Sequence, residues 1–246
     1  MSDHVRHNRA FWDADSDAYQ DVHGAVLARA PKAWGAYRIP ESELQILGNV
    51  AGRDVLELGC GAAQWSVALE HDGAHVVGLD VSGAQLRHAR RASAALPLVL
   101  ASGEQVPFAS ESFDIVFCDH GALSFCEPDV VVAECARVLR PGGVLAFCGT
   151  HPLLYLTYDE EKHRQSRCLH LLYTDLGRND GANVDWALPP GEWVHVLRSH
   201  GFTVDALVEL VPPADATTTY VDFAPPKWAR RWPAEWIWRA IRRGDG

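Results

Sequence analysis

Between residues 54 and 148 the chain alternates short apolar runs with stretches of helical period, and that alternation leaves little choice of architecture. Asp54–Leu58 (DVLEL), His75–Asp80 (HVVGLD), Leu98–Ala101, Phe113–Cys118 (FDIVFC) and Val144–Cys148 (VLAFC) each read as a strand. Between them, Ala62–His71, Ala84–Ala95 and Val130–Arg140 place apolar residues at helical spacing. Asp129 is the expected N-cap of the last, and Asp72-Gly73 and Pro141-Gly142-Gly143 the expected stops. Strands that alternate with helices in this way bury both faces of a parallel sheet under crossover helices. The expected class is α/β, with a doubly wound, mostly parallel sheet.

The flanks read differently. Residues 1–45 hold a helix with Val5, Trp12 and Tyr19 spaced seven apart and Phe11 beside them, expected to form an N-terminal helical cap. The core spans 46–150. After Thr150 the alternation breaks, and 151–190 reads as a lid or inserted hairpin. Its Tyr155, Tyr158, Tyr173 and Trp186 are expected to line an aromatic acceptor pocket. Alternation resumes over 191–226 with the helix Gly191–His200. Thr203–Leu210 and Thr217–Phe223 follow and are expected to pair as an edge hairpin around Val211-Pro212-Pro213. Residues 227–246 read as a basic, Trp-rich C-terminal helix. Pro233 stands in its first turn, and Trp236, Ile237, Ala240 and Ile241 form its apolar face. Three roles suit such a helix: docking on the domain, contact with an anionic membrane surface, or packing in a homodimer.

Composition narrows the function classes. Hydrophobic residues at 48% and charged residues at 22% are ordinary for a globular chain of 246 residues. No apolar run is long enough to span a bilayer, and the N-terminus, MSDHVRHNRAFWDADSD, is too charged for a secretory signal. The cysteines show no C-x-x-C pair and no metal-ligand spacing, so no metal is expected and the protein reads as reduced and cytoplasmic. A net charge of −10 disfavours a nucleic-acid partner.

The chemistry concentrates at the carboxyl ends of the expected strands. In Val55–Ser66 (VLELGCGAAQWS) a strand runs through Gly59-x-Gly61 straight into a helix. Glycines there let a ligand approach the backbone, and the helix start offers free N–H groups. A dinucleotide fingerprint needs a third glycine at position 64. Gln64, with Trp65 beside it, argues against a nicotinamide or flavin oxidoreductase. Asp80 closes the next strand, placed to accept both hydroxyls of a ribose or, alternatively, to N-cap the following helix. A polar turn, Ser102-Gly103-Glu104-Gln105, follows the third strand.

Taken in order, ELGCG, GLD, ASGEQVPFASESFDIV and ECARVLRPGGVLAF resemble a class I S-adenosylmethionine-dependent methyltransferase, most similar to the small-molecule, quinone-biosynthesis and natural-product branch. The resemblance covers residues 45–150 well and 190–222 loosely. It implies a Rossmann-like, seven-stranded sheet with helices on both faces, and S-adenosylmethionine as cofactor with S-adenosylhomocysteine as product. By position it implies that Glu57, Gly59, Cys60 and Gly61 lie under the methionine part. Asp80 would take the ribose, Val81, Ser102, Gly103 and Glu104 the adenine, and Cys118 and Asp119 the methionine amino end. Tyr19 would close from the cap. Two departures stand out: Ala63 replaces the third loop glycine, and Ser102 replaces an adenine-side acid.

His120 and His151, each just beyond a strand end, are the candidate general bases for a hydroxyl acceptor. The other reading of each is that it only orders its own loop. The expected activity is methyl transfer to a small molecule, at a hydroxyl oxygen first and a ring carbon second. The alternative is a noncatalytic protein that keeps the fold and binds the cofactor or a partner.

Overall fold

The computed structural model describes residues 1–221 and 223–244. A seven-stranded sheet organises them: β1 (Asp54–Leu58), β2 (His75–Asp80), β3 (Leu98–Leu100), β4 (Phe113–Asp119), β5 (Leu139–Thr150), β6 (Phe202–Leu210) and β7 (Glu235–Arg242). Their spatial order is β6-β7-β5-β4-β1-β2-β3. β1 pairs in parallel with β2 and β4, β2 with β3, and β4 with β5, whereas β7 runs antiparallel between β5 and β6. The order reverses between β1 and β4, and a crevice opens at such a switch point beyond the carboxyl ends of the strands.

Burial explains why these segments are strands. Val55–Leu58 and Ile115–Cys118 are buried without interruption, as central parallel strands covered on both faces must be. On one side, α4 (Pro128–Val138) and α5 (Pro190–Ser199) press Val131, Val132, Cys135, Trp193 and Leu197 onto Leu56, Val116 and Phe147. On the other, α2 (Gln64–His71) packs Trp65 and Leu69 near Val55, Phe117 and Cys148. Each such large apolar side chain contributes about 1.5–3 kcal/mol by leaving water.

The cap is α1 (Asp3–Arg29), which lies along α3 (Gly83–Ala92). Asp13 accepts from Ser82 Oγ at 2.7 Å and Ala84 N at 3.0 Å, and Gln20 donates to Gln85 at 3.0 Å. Asn8 fastens the cap's start to the segment expected as a lid, exchanging hydrogen bonds of 2.7 and 2.8 Å with the backbone of Val184. That segment forms a short helix, Pro152–Leu156, and two small antiparallel ribbons.

The expected C-terminal helix is a strand. Residues Trp236, Trp238 and Ala240 alternate with Ile237, and the two sets enter the cores on opposite faces of the sheet. Trp238 opposes Phe147 on β5 and Leu207 on β6, and its ring stacks on Phe147 at 6.5 Å. A helix here would have left β5 with an open edge, whereas an inserted strand satisfies both rows of backbone groups. With Trp236 and Trp238 at 2% and 1% exposure, these residues offer no face to a membrane or a second copy. The expected hairpin also fails: β6 pairs with β7, and Thr217–Phe223 forms no strand among its described residues. Asp222 in that run, and Asp245 and Gly246 in the expected helix, lie outside the described residues. Among the described residues no helix is long and apolar enough to cross a membrane.

Candidate active site

A cavity of about 410 Å³ lies beyond the carboxyl ends of β1 to β4, under α1. Its floor is the turn after β1. Gly59 has φ +78°, and a Cβ there would meet Ala122 N and Gly121 Cα at 2.7 Å, so no other residue fits that turn unchanged. Ala63, the last residue of the turn's Gly-x-Gly-x-Ala run, adopts the left-handed conformation at φ 59° as the N-cap of α2.

Asp80 clamps this turn to the next. Its two oxygens accept from Gly61 N and Ser82 N, each at 2.8 Å. Burial nonetheless pushes its carboxyl up to about 6. The cap of α3 is made by Ser82 Oγ, which accepts from Gln85 N at 3.1 Å, so Asp80 is left facing the cavity with lone-pair capacity to spare. Val81, Ala101, Ser102 and Gly103 continue the wall from β2 and β3 toward Trp12 and Phe125.

Glu57 is 4% exposed and accepts from Ser66 N at 3.0 Å and Ser66 Oγ at 2.5 Å. Burial pushes its carboxyl up to about 8 against those hydrogen bonds, with Asp119 and Asp80 adding to the rise. Asp119 accepts from Gly35 N at 3.0 Å and Trp65 Nε1 at 3.3 Å, with Arg38 Nη1 at 3.5 Å. Arg38 holds the Ala30 carbonyl at 2.5 Å through Nη2, yet its Nε is buried with no partner among the described residues. A buried unpaired guanidinium N–H beside a cavity marks a place for an acceptor oxygen on a ligand.

Beside Asp119 and Arg38 the cavity wall turns aromatic. Tyr19 and Tyr220 share a hydroxyl–hydroxyl bond of 2.6 Å, His23 stacks on Tyr220 at 4.1 Å, and Phe223 and His120 complete the wall. His120 Nε2 bonds to Glu235 Oε1 at 2.5 Å.

Most of the residues singled out from sequence meet here: Tyr19, Glu57, Gly59, Cys60, Gly61, Asp80, Val81, Ser102, Gly103, Asp119 and His120 all line the cavity. Three do not. Glu104 turns away to His4 and to Glu127 N, tying down the start of α1. Cys118 is fully buried behind the site, accepting from Gly121 N at 3.1 Å. His151 caps the helix Pro152–Leu156 by accepting from Leu153 N at 3.1 Å, and its Nε2 lies 3.3 Å from Glu209. Nor do Tyr155, Tyr158, Tyr173 or Trp186 line the cavity; Tyr155 bonds to Asp185, and Trp186 packs edge-on against His4. The aromatic wall comes from α1 and from Tyr220 and Phe223 instead.

Arg38, Gln85, Tyr220 and Glu235 were missed because none belongs to a local pattern; each arrives through tertiary contact. Trp65 was visible beside the glycine turn as bulk, but not as a donor to Asp119. Asp119, His120 and Cys148 bring ligand-type atoms within 4.8 Å of one another. Asp119 and His120 already bond to protein groups, and burial holds the Cys148 thiol well above its usual range, so the donor set does not suit a metal ion.

Comparison with known proteins agrees with this geometry. The family described as "Methyltransferase domain" matches residues 56–147. A demethylmenaquinone methyltransferase from Clavibacter sepedonicus is 32% identical over 142 residues, 56% of each chain. A ubiquinone biosynthesis O-methyltransferase from Hahella chejuensis is 37% identical over 107 residues, 39% of this chain and 42% of the relative. The chain thus spans about half the length of the curated relatives it matches. Among solved structures, an S-adenosylmethionine-dependent methyltransferase from Mesorhizobium loti superposes with a TM-score of 0.66 at 23% identity, over 82% of this chain and 96% of that one. A 1,6-didemethyltoxoflavin-N1-methyltransferase from Burkholderia thailandensis, solved with 1,6-didemethyltoxoflavin and S-adenosylhomocysteine, superposes with a TM-score of 0.59 at 15% identity, over 98% of this chain and 89% of that one. Residues 56–147 are thus similar to the methyltransferase domain family, and the chain shares its Rossmann-like fold with solved S-adenosylmethionine-dependent methyltransferases.

Proposed function

We propose that the protein transfers a methyl group from S-adenosylmethionine to a small-molecule acceptor, at a hydroxyl oxygen first and a ring carbon second. One observation carries this reading: the Asp80 carboxylate and the bare Gly59–Gly61 turn face the same cavity and are bonded to each other. Asp80 accepts the ribose hydroxyls, while Val81, Ser102 and Gly103 border the adenine. The unpaired Arg38 Nε receives the methionine carboxylate, and Glu57 and Asp119 face its ammonium. A cation arriving beside Glu57 offsets the burial that keeps its carboxyl protonated.

When bound, the sulfonium supplies an electrophilic methyl for in-line displacement, so alignment supplies much of the acceleration. The acceptor occupies the end walled by Tyr19, His23, Tyr220 and Phe223, which suits a planar, lipophilic molecule. The names of the relatives, in quinone biosynthesis and in malonyl-[acyl-carrier protein] methylation, support an acceptor that is small or carrier-borne. His120 is the candidate base; His151, outside the cavity, is not.

Calorimetric titration of S-adenosylhomocysteine tests the reading. The wild-type protein should bind, and Asp80→Ala should weaken binding by at least about tenfold, since a hydrogen bond to a charged group contributes roughly 1.5–3 kcal/mol. Wild-type protein that does not bind sinks the proposal.

A further inference from the structure

Glu235 belongs to no motif, yet its place is specific. Because β7 is antiparallel, its first residue stands where the parallel strands end, opposite Thr150 on β5. There the carboxylate is 1% exposed, and Oε1 accepts from Ala36 N at 2.7 Å as well as from His120 Nε2 at 2.5 Å. Gly35, at φ +71°, leaves room for it: a Cβ there would lie 2.6 Å from Oε1. A carboxylate buried this deeply is costly unless donors converge on it, and here they do. His120 itself sits at φ 51°, left-handed for a side-chain-bearing residue, with its side chain 30% exposed. Since Nε2 donates to Glu235, the neutral ring leaves Nδ1 unprotonated. Among the described residues, no hydrogen bond is made to Nδ1.

We propose that Glu235 is a positioning residue, fixing His120 in the tautomer whose Nδ1 takes the proton from an acidic hydroxyl, a phenol or an enol, held against Tyr220 and Phe223. This rests on the methyl-transfer reading and names its acceptor class. The acceptor oxygen forms a bond to the methyl carbon, and the carbon–sulfur bond breaks with its electron pair going to sulfur. The hydroxyl proton passes to Nδ1, and the resulting imidazolium faces the Glu235 carboxylate until water removes the proton.

The charged and titratable groups facing His120 are Glu235 from β7, Asp119 from β4, Cys148 from β5 and Arg38 from the segment before β1. Burial pulls the imidazolium's pKa down, but the Glu235 hydrogen bond and charge, with Asp119, carry it above the ordinary histidine value. The base form therefore gains as pH rises through that raised midpoint. Replacing Glu235 by Gln should move the limb toward acid.

The test uses the full chain with S-adenosylhomocysteine and 4-nitrophenol as probe, at a pH where the phenol is mostly protonated in water. The wild type should bind it with a growing phenolate absorption band. His120→Ala should cut that band at least about tenfold, one pKa unit of the bound phenol, because the ring that accepts its proton is gone. Glu235→Gln should lower both the band and the His120 midpoint read by NMR. Nitrogen NMR of the wild type alone reads the tautomer: a proton on Nε2 supports the proposal and one on Nδ1 overturns it. No wild-type band, or equal bands in all three proteins, also overturns it. Calorimetry with S-adenosylhomocysteine alone separates that failure from a failure of the cofactor site.

Discussion

The two halves of the sheet are built on different rules. From β3 across to β5 the strands are parallel, each followed by its own helix or turn, and the carboxyl ends of β1 to β4 each add a piece to the cavity. From β5 across to β6 the neighbours run antiparallel, with β7 wedged in last, and this half supplies packing through Trp236 and Trp238. In a parallel half, a site is assembled from consecutive turns. In an antiparallel one, the strand's beginning arrives at the same edge, which is how Glu235 reaches His120 from the far end of the chain.

Three substitutions would break or sharpen that contrast. Trp238→Ala empties a core site at 1% exposure and should cost about 3–5 kcal/mol in urea denaturation. The folded variant should keep its affinity for S-adenosylhomocysteine, because Trp238 does not line the cavity; lost affinity would mean that the packing half also shapes the site. Gly59→Ala should do the reverse. Its Cβ collides with Gly121 and Ala122 in a left-handed turn, a strain of about 1–3 kcal/mol placed in the ligand's floor. Calorimetry should show affinity falling about tenfold or more, with a smaller fall in melting temperature than in Trp238→Ala; a large fall in stability with normal affinity would contradict the contrast.

The third substitution, at Glu57, is read as a slope in pH rather than as a single loss. Its folded carboxyl titrates at about 8, above its ordinary value of 4.5, so the folded state holds a proton that the unfolded state releases. Stability should therefore fall as pH rises from about 5 to about 8 and level off beyond. Glu57→Gln, whose amide oxygen can still accept from Ser66, should flatten that slope. Each pKa unit corresponds to about 1.4 kcal/mol, or roughly 3–5 °C in melting temperature near pH 8. Thermal melts across that range that stay parallel in both proteins would show that Glu57 is charged in the fold.

What can be read from the sequence tracks locality. Gly59, Gly61, Asp80, Ser102 and Asp119 each close a strand or stand within three residues of its end, and a βα turn is specified by a few adjacent residues, so the floor of the cavity is legible in the order of residues alone. Tyr19 is legible for a related reason, since its seven-residue spacing from Trp12 and Val5 fixes a helix face. His151 shows the limit: it too follows a strand, but the helix after it claims its ring as a cap.

The amino-acid sequence alone determined the α/β class, the five parallel-type strands before Thr150 and the turn chemistry at their ends, because period and glycine placement act over a few residues. Its reading of the tail as a helix was wrong, since the run from Trp236 to Ile241 that suggests a helical face also satisfies a strand's alternation. Only tertiary structure settled that choice: the open edge of β5 required a partner strand, and both faces of the sheet required large apolar side chains. The same insertion put Glu235 behind His120, and the fold of α1 over the strand ends made Tyr19 and Trp12 a wall of the cavity.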